Sequence, residues 1–261
     1  MSSLRLLLVL LVFINPARAD PCYAPITGIQ YGGSTSGSIP YTTTGTNQLA
    51  IAYFLHYAHT GTAPSTTGMS QSGVTWQRRA RVVPGTVSGI YQPANEEWYA
   101  VVPSAGSYSV GFTVDIVPNE GDVVIVVFSG SFATNRFDPN GSLPATAFDY
   151  SGSDTLPQVS GASTSASSSL LLTFCGQLFL GGSICNLPPS GWTNIFAGTD
   201  AALSYSAAYK QVTTPQIGIT VPAAPNTLAY WVVIADALIG GSCILPSTVV
   251  PTAPSSVRIS E

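Results

Sequence analysis

The side chains that could do chemistry are few: two histidines, four cysteines, one lysine and 12 acids. A serine nucleophile needs a base beside an activated hydroxyl. No Gly-x-Ser-x-Gly occurs, and a Ser-x-x-Lys pair is ruled out because Ala207 stands three residues before Lys210. His56 and His59 are the only imidazoles. Residues three apart on a strand face opposite ways, so the two are not read as sharing a metal. Each is expected at a strand end on a sheet rim. Glycoside hydrolysis needs two carboxylates about 5–10 Å apart across a cleft. Glu96 and Glu97 are adjacent and diverge on a strand, which leaves only nonlocal partners such as Asp115, Asp149 or Asp154. No residue is assigned to catalysis, to a metal or to a cofactor.

Arg78, Arg79 and Arg81 form the densest basic run. They could hold an anion or a sugar acid. The preferred expectation is that strand Val74–Val83 pairs with the strand through Glu97, where Arg79 or Arg81 meets Glu97 across the ladder for about 0.2–1 kcal/mol. Asp138-Pro139-Asn140-Gly141 and Asp149 carry oxygens of the calcium-binding type, but no EF-hand spacing, and turns use the same residues. Asn140-Gly141-Ser142 is also a glycosylation sequon. Sugars stack on aromatic rings, and the sequence has 12 Tyr and 4 Trp. Trp76, Trp98 and Trp231 lie inside apolar segments and read as core. Tyr91 and Trp192 lie beside Gly/Pro loops and read as ligand contacts. Two long loops, 84–95 and 129–144, mix aromatic and polar groups. The expected ligand-binding set is therefore Tyr91, Arg136, Asp138, Asn140 and Trp192, with Phe132 and Phe137 either joining it or folding back over the core.

The elements that must position these groups are β-strands. Charged residues make up 8% of the chain, the mean hydropathy is +0.32, and 25 Gly and 20 Pro punctuate it. No apolar run reaches the ~18–20 residues of a membrane-spanning helix. A helical bundle or coiled coil would need far more Lys, Glu and Arg. The net charge of −4 offers no basic footprint for nucleic acid. Short apolar or alternating runs recur at sandwich spacing. They are Ile26–Tyr31, Gln48–Tyr57, Val74–Val83, Glu97–Val102, Ser107–Val114 and Asp122–Phe128, then Ala145–Tyr150, Leu170–Cys175, Trp192–Phe196, Leu203–Val212, Gln216–Val221 and Leu228–Leu238. Val123–Phe128 and Tyr230–Ala235 are continuously apolar, which predicts central strands buried on both faces. The expected fold is all-β: one antiparallel two-sheet, jelly-roll-like β-sandwich of about twelve strands over residues 20–245. A Pro/Ser/Thr-rich tail, 246–261, is expected to be extended and exposed.

Residues 1–19 read as a secretory signal, with a basic start, an apolar core Leu6–Ile14 and the small-residue site Ala17-Arg18-Ala19. Cleavage after Ala19 predicts a secreted or cell-surface protein with no stable membrane insertion. Four cysteines in an exported chain suggest two disulfides, with three connectivities open. The Gly-containing connection between Cys175 and Cys185 favours that pair. Cys22–Cys243 would then tie the two ends, contributing about 4–5 kcal/mol through loop-closure entropy.

The order of segments carries a resemblance. "TTTGTNQLAIAYFLHY", "SGVTWQRRARV", "EEWYAVVPSAGSYSVGFTV" and "GDVVIVVFSG" are followed by "LPQVSGASTSASSSLLLTFCG", "PPSGWTNIF", "ALSYSAAYKQV" and "LAYWVVIADAL". Over residues 39–238 this resembles jelly-roll-like β-sandwich modules of phage structural proteins, such as tail and head-decoration proteins, and of bacterial exported surface proteins. The resemblance implies a binding or structural role and no catalytic residues. Three functions follow as expectations. The first is a non-enzymatic exported module that binds a surface, glycans above all, through end loops. The second is a phage virion structural or host-adsorption protein, with homo-oligomeric or virion assembly. The third is a secreted polysaccharide hydrolase.

Overall fold

The computed structural model describes residues 27–31, 33–58, 62–83, 92–128, 136–149, 156–178, 185, 188–199, 203–224, 230–239 and 257–258. The signal segment 1–19, His59, Tyr91, Phe132, Asp154, Cys22 and Cys243 lie outside them. Within them the chain is all-β, with no helix. The strands are β1 Thr27–Tyr31, β2 Ser36–Thr43, β3 Gln48–Ala58, β4 Thr66–Ser70, β5 Gln77–Val82, β6 Gln92–Val102, β7 Gly106–Val114 and β8 Glu120–Phe128. Then follow β9 Ala145–Asp149, β10 Gln158–Ala162, β11 Ser169–Leu178, β12 Thr193–Thr199, β13 Leu203–Val212, β14 Ile219–Pro222, β15 Trp231–Ile239 and β16 Val257–Arg258.

Each of the twelve segments read as a strand holds one. The described residues form sixteen strands in four sheets, and the expected two-sheet sandwich of about twelve strands is not confirmed. The four additional strands are β2, β4, β10 and β16, and the first three build the outer layers. The sheet orders are β16-β1-β8-β3-β6-β5, β12-β13-β11-β15-β9, β2-β7-β4 and β10-β14. All pairings are antiparallel except β1 with β16, where Ile29 and Gln30 face Val257 and Arg258. Those two residues of the tail are thus paired rather than free.

The sheets stack in four layers, and side-chain alternation explains why. On β3, Leu49, Ile51, Tyr53 and Leu55 face β11, β13 and β15 of the second large sheet, against Leu170, Leu172, Phe174 and Ile234. Ala50, Ala52 and Phe54 face the other way, onto Ile39, Tyr41, Val110 and Phe112 of β2 and β7. In the second large sheet Leu171, Cys175, Val233 and Ala235 face outward onto Val159, Ala162 and Val221 of β10 and β14. Both large sheets are therefore covered on both faces. Every residue of β3 and of β11 is buried, and each large apolar side chain so placed contributes about 1.5–3 kcal/mol.

The halves of the chain are two copies of one topology. The order β1-β8-β3-β6-β5 matches β9-β15-β11-β13-β12, and the outer pair β2-β7 matches β10-β14. Register confirms it. Gln48 pairs with Val102 as Ser169 pairs with Val212, and Leu49 with Phe128 as Leu170 with Leu238. Both copies carry a β-bulge at the same place, Arg79 opposite Trp98/Glu97 and Ile195 opposite Ala208/Ala207. Gly111–Val114 reads GFTV where Gly218–Val221 reads GITV. The equivalent residues Tyr53 and Phe174 pack on each other, ring centroids 4.7 Å apart, so an approximate two-fold axis passes between them.

Close approach across this axis depends on Gly176. A Cβ there would overlap Asn95 Oδ1 and lie 2.6 Å from Leu55 Cδ1, while Asn95 Nδ2 donates across the seam to the Val232 carbonyl at 3.0 Å. Gly176→Ala is expected to destabilise the protein by about 1–3 kcal/mol, read as a lower urea midpoint at unchanged slope. An unchanged midpoint would mean the repeats do not approach this closely.

Candidate functional site

The chain buries its chemistry. Glu96, Glu97, Asp122, Asp138, Asp149, Asp236 and His56 are all buried, and these groups gather chiefly around β6. Adjacent residues of a strand face opposite sheets, so Glu96 and Glu97 diverge as expected and found two separate clusters.

Glu96 points into the first repeat. Its Oε1 accepts from the Thr66 backbone N–H at 2.8 Å, and its Oε2 from Trp98 Nε1 at 2.8 Å. Arg81 Nε lies 3.3 Å away and Arg78 Nη1 3.8 Å. Burial raises the Glu96 pKa, against the pull of these hydrogen bonds and guanidinium groups. His56 Nε2 is 3.7 Å from Glu96 Oε1 and 3.1 Å from Thr66 Oγ1, while its Nδ1 is 2.6 Å from Tyr31 Oη. Burial, aided by the Arg81 charge, pushes the His56 pKa down to about 3, so the ring is a neutral part of the hydrogen-bond network. The rim position expected for His56 is corrected, because β3 is a central strand covered on both sides.

Glu97 points into the seam between the repeats. Asp236 enters the same seam from β15 and accepts Arg79 through both oxygens, at 2.8 and 3.2 Å. The Arg79 guanidinium lies 4.5 Å from the Phe137 ring centre, and that ring meets Tyr99 edge-on at 4.9 Å. The expected contact of Arg79 or Arg81 with Glu97 is corrected. Arg81 is the register partner of Glu96, and the bulge at Arg79 turns its side chain toward Asp236. Burial drives the Glu97 carboxyl well above the ordinary range, helped by the Asp236 charge and opposed by Arg79.

Of the expected ligand-binding set, Arg136, Asp138 and Asn140 share one loop, but Asp138 faces inward. It accepts from the backbone N–H groups of Asn140, Ser165 and Ala166 at 2.9–3.2 Å and from Ser169 Oγ at 3.3 Å. Burial opposes its ionisation, yet these donors outweigh burial and hold its pKa below the usual value. Its role is to fasten loop 138–142 to loop 163–166. Asn140 Oδ1 accepts from Ser142 N at 3.0 Å, closing a turn, and its Nδ2 reaches Ser165 Oγ at 3.3 Å. Arg136 is half-buried, with Nη1 lacking a hydrogen-bond partner. Trp192 is half-buried and packs on the outer core of the second repeat, to which Leu143 of the same loop also belongs. Phe137 folds back over the seam. Trp76, Trp98 and Trp231 are core, and Cys175–Cys185 is a disulfide.

Asp236 and Asn95 escaped the sequence reading. The one signal for Asp236 was a single acid inside the apolar run Trp231–Ile239. Among the described residues no group of three or more His, Cys, Asp or Glu could hold a metal. No known family, curated protein or solved structure matches the chain.

The twin of His56 is Gln177, equally buried, whose Oε1 accepts from Cys185 N and Ser204 Oγ. His56→Gln should therefore fold. Neutral His56 contributes stability that is complete above pH 6.5 and is lost as pH falls toward its folded value of about 3. Relative to the variant, the wild type should lose about 1.4 kcal/mol per pH unit below 6.5. Parallel stability–pH curves would contradict a neutral buried ring. Asp138→Asn should leave the core intact and speed amide exchange in 140–142 and 163–166 about tenfold or more, since charge-assisted bonds contribute about 1.5–3 kcal/mol.

Proposed function

We propose that the protein is a non-enzymatic, exported structural module that binds neutral, hydroxyl-rich polymers, glycans above all, through its surface and end loops. The supporting observation is an inversion of charge. Six of the described acids are buried, whereas among the charged residues whose burial is described Arg78, Asp115 and Lys210 are the exposed ones. The outward face of β2, β7 and β4 carries Ser36, Ser38, Thr42, Ser107, Ser109 and Thr113 with no charge, and hydroxyls there meet directly, as Ser38 Oγ and Ser109 Oγ do at 2.6 Å. Globular surfaces ordinarily carry about 25–35% charged residues. A surface of hydroxyl and amide groups matches partners that bear hydroxyls and no charge, and offers nothing to phosphates or acidic lipids. Among the described carboxylates a hydrolase could use, Glu96, Glu97, Asp122, Asp138, Asp149 and Asp236 are buried, and Asp115 and Glu120 are the two that are not.

We read the strand orders β1-β8-β3-β6 and β2-β7-β4 as jelly-roll-like, and this order is what our reading of a structural module leans on. The same charge-free faces favour a second reading, assembly of copies in a virion. A panel of neutral and anionic glycans separates the readings. Binding to neutral glycans that weakens about tenfold or more in Arg136→Ala or Asn140→Ala supports the first. Concentration-dependent sedimentation of the protein alone, with no glycan bound, would replace it with the second.

A further inference from the structure

We infer that Glu97, Asp236 and Arg79 form a buried site for a single proton, and that this proton latches the two repeats together. The charge count comes first. Two carboxyl groups, each about 1% exposed, enter one seam from opposite sheets, and one guanidinium answers them. With both ionised, the seam holds an uncompensated negative charge away from water, which is among the costliest arrangements a protein interior can contain. One proton taken from solvent makes the set neutral.

Hydrogen bonding says which carboxyl holds it. Arg79 is committed to both oxygens of Asp236. Glu97 Oε1 has no partner, and neither has the hydroxyl of Tyr53, its cross-strand neighbour. A protonated Glu97 gains a donor on a strand face where its own Oε1 and the neighbouring Tyr53 hydroxyl are both unpaired. Burial together with the Asp236 charge favours the protonated form of Glu97 in the same sense.

The approximate two-fold axis supplies a comparison within the molecule. The equivalents of Glu97, Arg79 and Asp236 are Ala207, Ile195 and Val126, all members of the shared apolar core. The same backbone, with the same bulge, is thus satisfied by hydrocarbon on the other side of the axis. The fold does not require the charged set, and replacing buried ion pairs by apolar groups is often neutral or stabilising. What the charged set adds is dependence on a proton.

The surrounding elements hold few other ionisable groups. β3 contributes Tyr53, and β6 contributes Tyr99 and Asn95. The segment at Phe137 brings Asp138, whose charge reinforces protonation of Asp236. β11 and β12 present Phe174 and Phe196. On β9, Asp149 pairs with Trp231 at the far end of β15, whose side chain lies on the outer face. Among the described residues Arg79 is the cation whose charge acts on Glu97, while the half-buried Arg136 sits at the end of β15 beside Ile239, so relief on loss of the proton comes from water entering between β6 and β15.

Two measurements test the latch. Infrared spectra of the native protein at pH 6 should show the carbonyl stretch of a protonated carboxylic acid, missing in Glu97→Gln. Amide exchange, corrected for its intrinsic pH dependence, should show β6 and β15 losing protection from pH 6 to pH 9 by at most about tenfold per unit, the slope of one proton. Glu97→Gln and the triple variant Arg79→Ile/Glu97→Ala/Asp236→Val, which installs the twin's residues, should show no such loss. Absence of the acid band in the wild type, or equal loss of protection in wild type and a folded variant, overturns the proposal. If neither variant folds, the wild-type spectrum decides it.

Discussion

A sheet covered on both faces has no side to give to water, and the two large sheets of this protein are both of that kind. A buried polar group on β3, β6, β11 or β15 can then find a partner only inside the stack. The consequences run through the structure. His56 is neutral and bonded at both ring nitrogens. Glu96 collects a backbone amide, an indole and two arginines. Asn95 crosses the seam to a carbonyl. The order of the layers follows from the same constraint, since the small outer sheets exist to close faces that the large sheets cannot leave open.

Charge has been drawn inward by this arrangement, and hydroxyls left outside. A chain with 8% charged residues has few ions with which to keep itself soluble, yet spends most of its described acids in the interior. Buried ion pairs are seldom net stabilising against apolar replacements. Their presence on one side of the two-fold axis, with Ile195, Ala207 and Val126 on the other, separates what the fold needs from what this protein adds to it.

Much of the inner structure was legible in the sequence. Continuous apolar runs marked β8 and β15, alternation marked β13, and the pair Cys175–Cys185 followed from a Gly-containing connection. The strands that went unread share a cause. β2, β4 and β10 are rich in Ser, Thr and Gly and bury only alternate small patches, so their hydrophobic signal is weak. Without them the layers could not be counted. The repeat was hidden for a different reason. Equivalent positions carry unlike side chains, His56 against Gln177 and Glu97 against Ala207, and only GFTV and GITV coincide over any length. The site was legible least of all. A one-residue bulge sends Arg79 to the opposite side from a regular strand, and its partner Asp236 is 157 residues away in sequence.

The path of the chain also bears on how the molecule is made. In each repeat the last strand is an interior strand of the large sheet: β8 inserts between β1 and β3, and β15 between β9 and β11. Neither sheet can close until its final strand has been synthesised, a pattern of distant pairings that slows folding. Apart from the edge pairing of β1 with β16, the first repeat can complete its sheets once Phe128 is available. Its inner face, with Leu49, Ile51, Tyr53 and Phe128, then stays bare until the second repeat closes at Ile239. For that interval the nascent chain presents a broad apolar sheet to its surroundings. Another copy at the same stage offers the same face, so crowded synthesis favours pairing between unfinished chains.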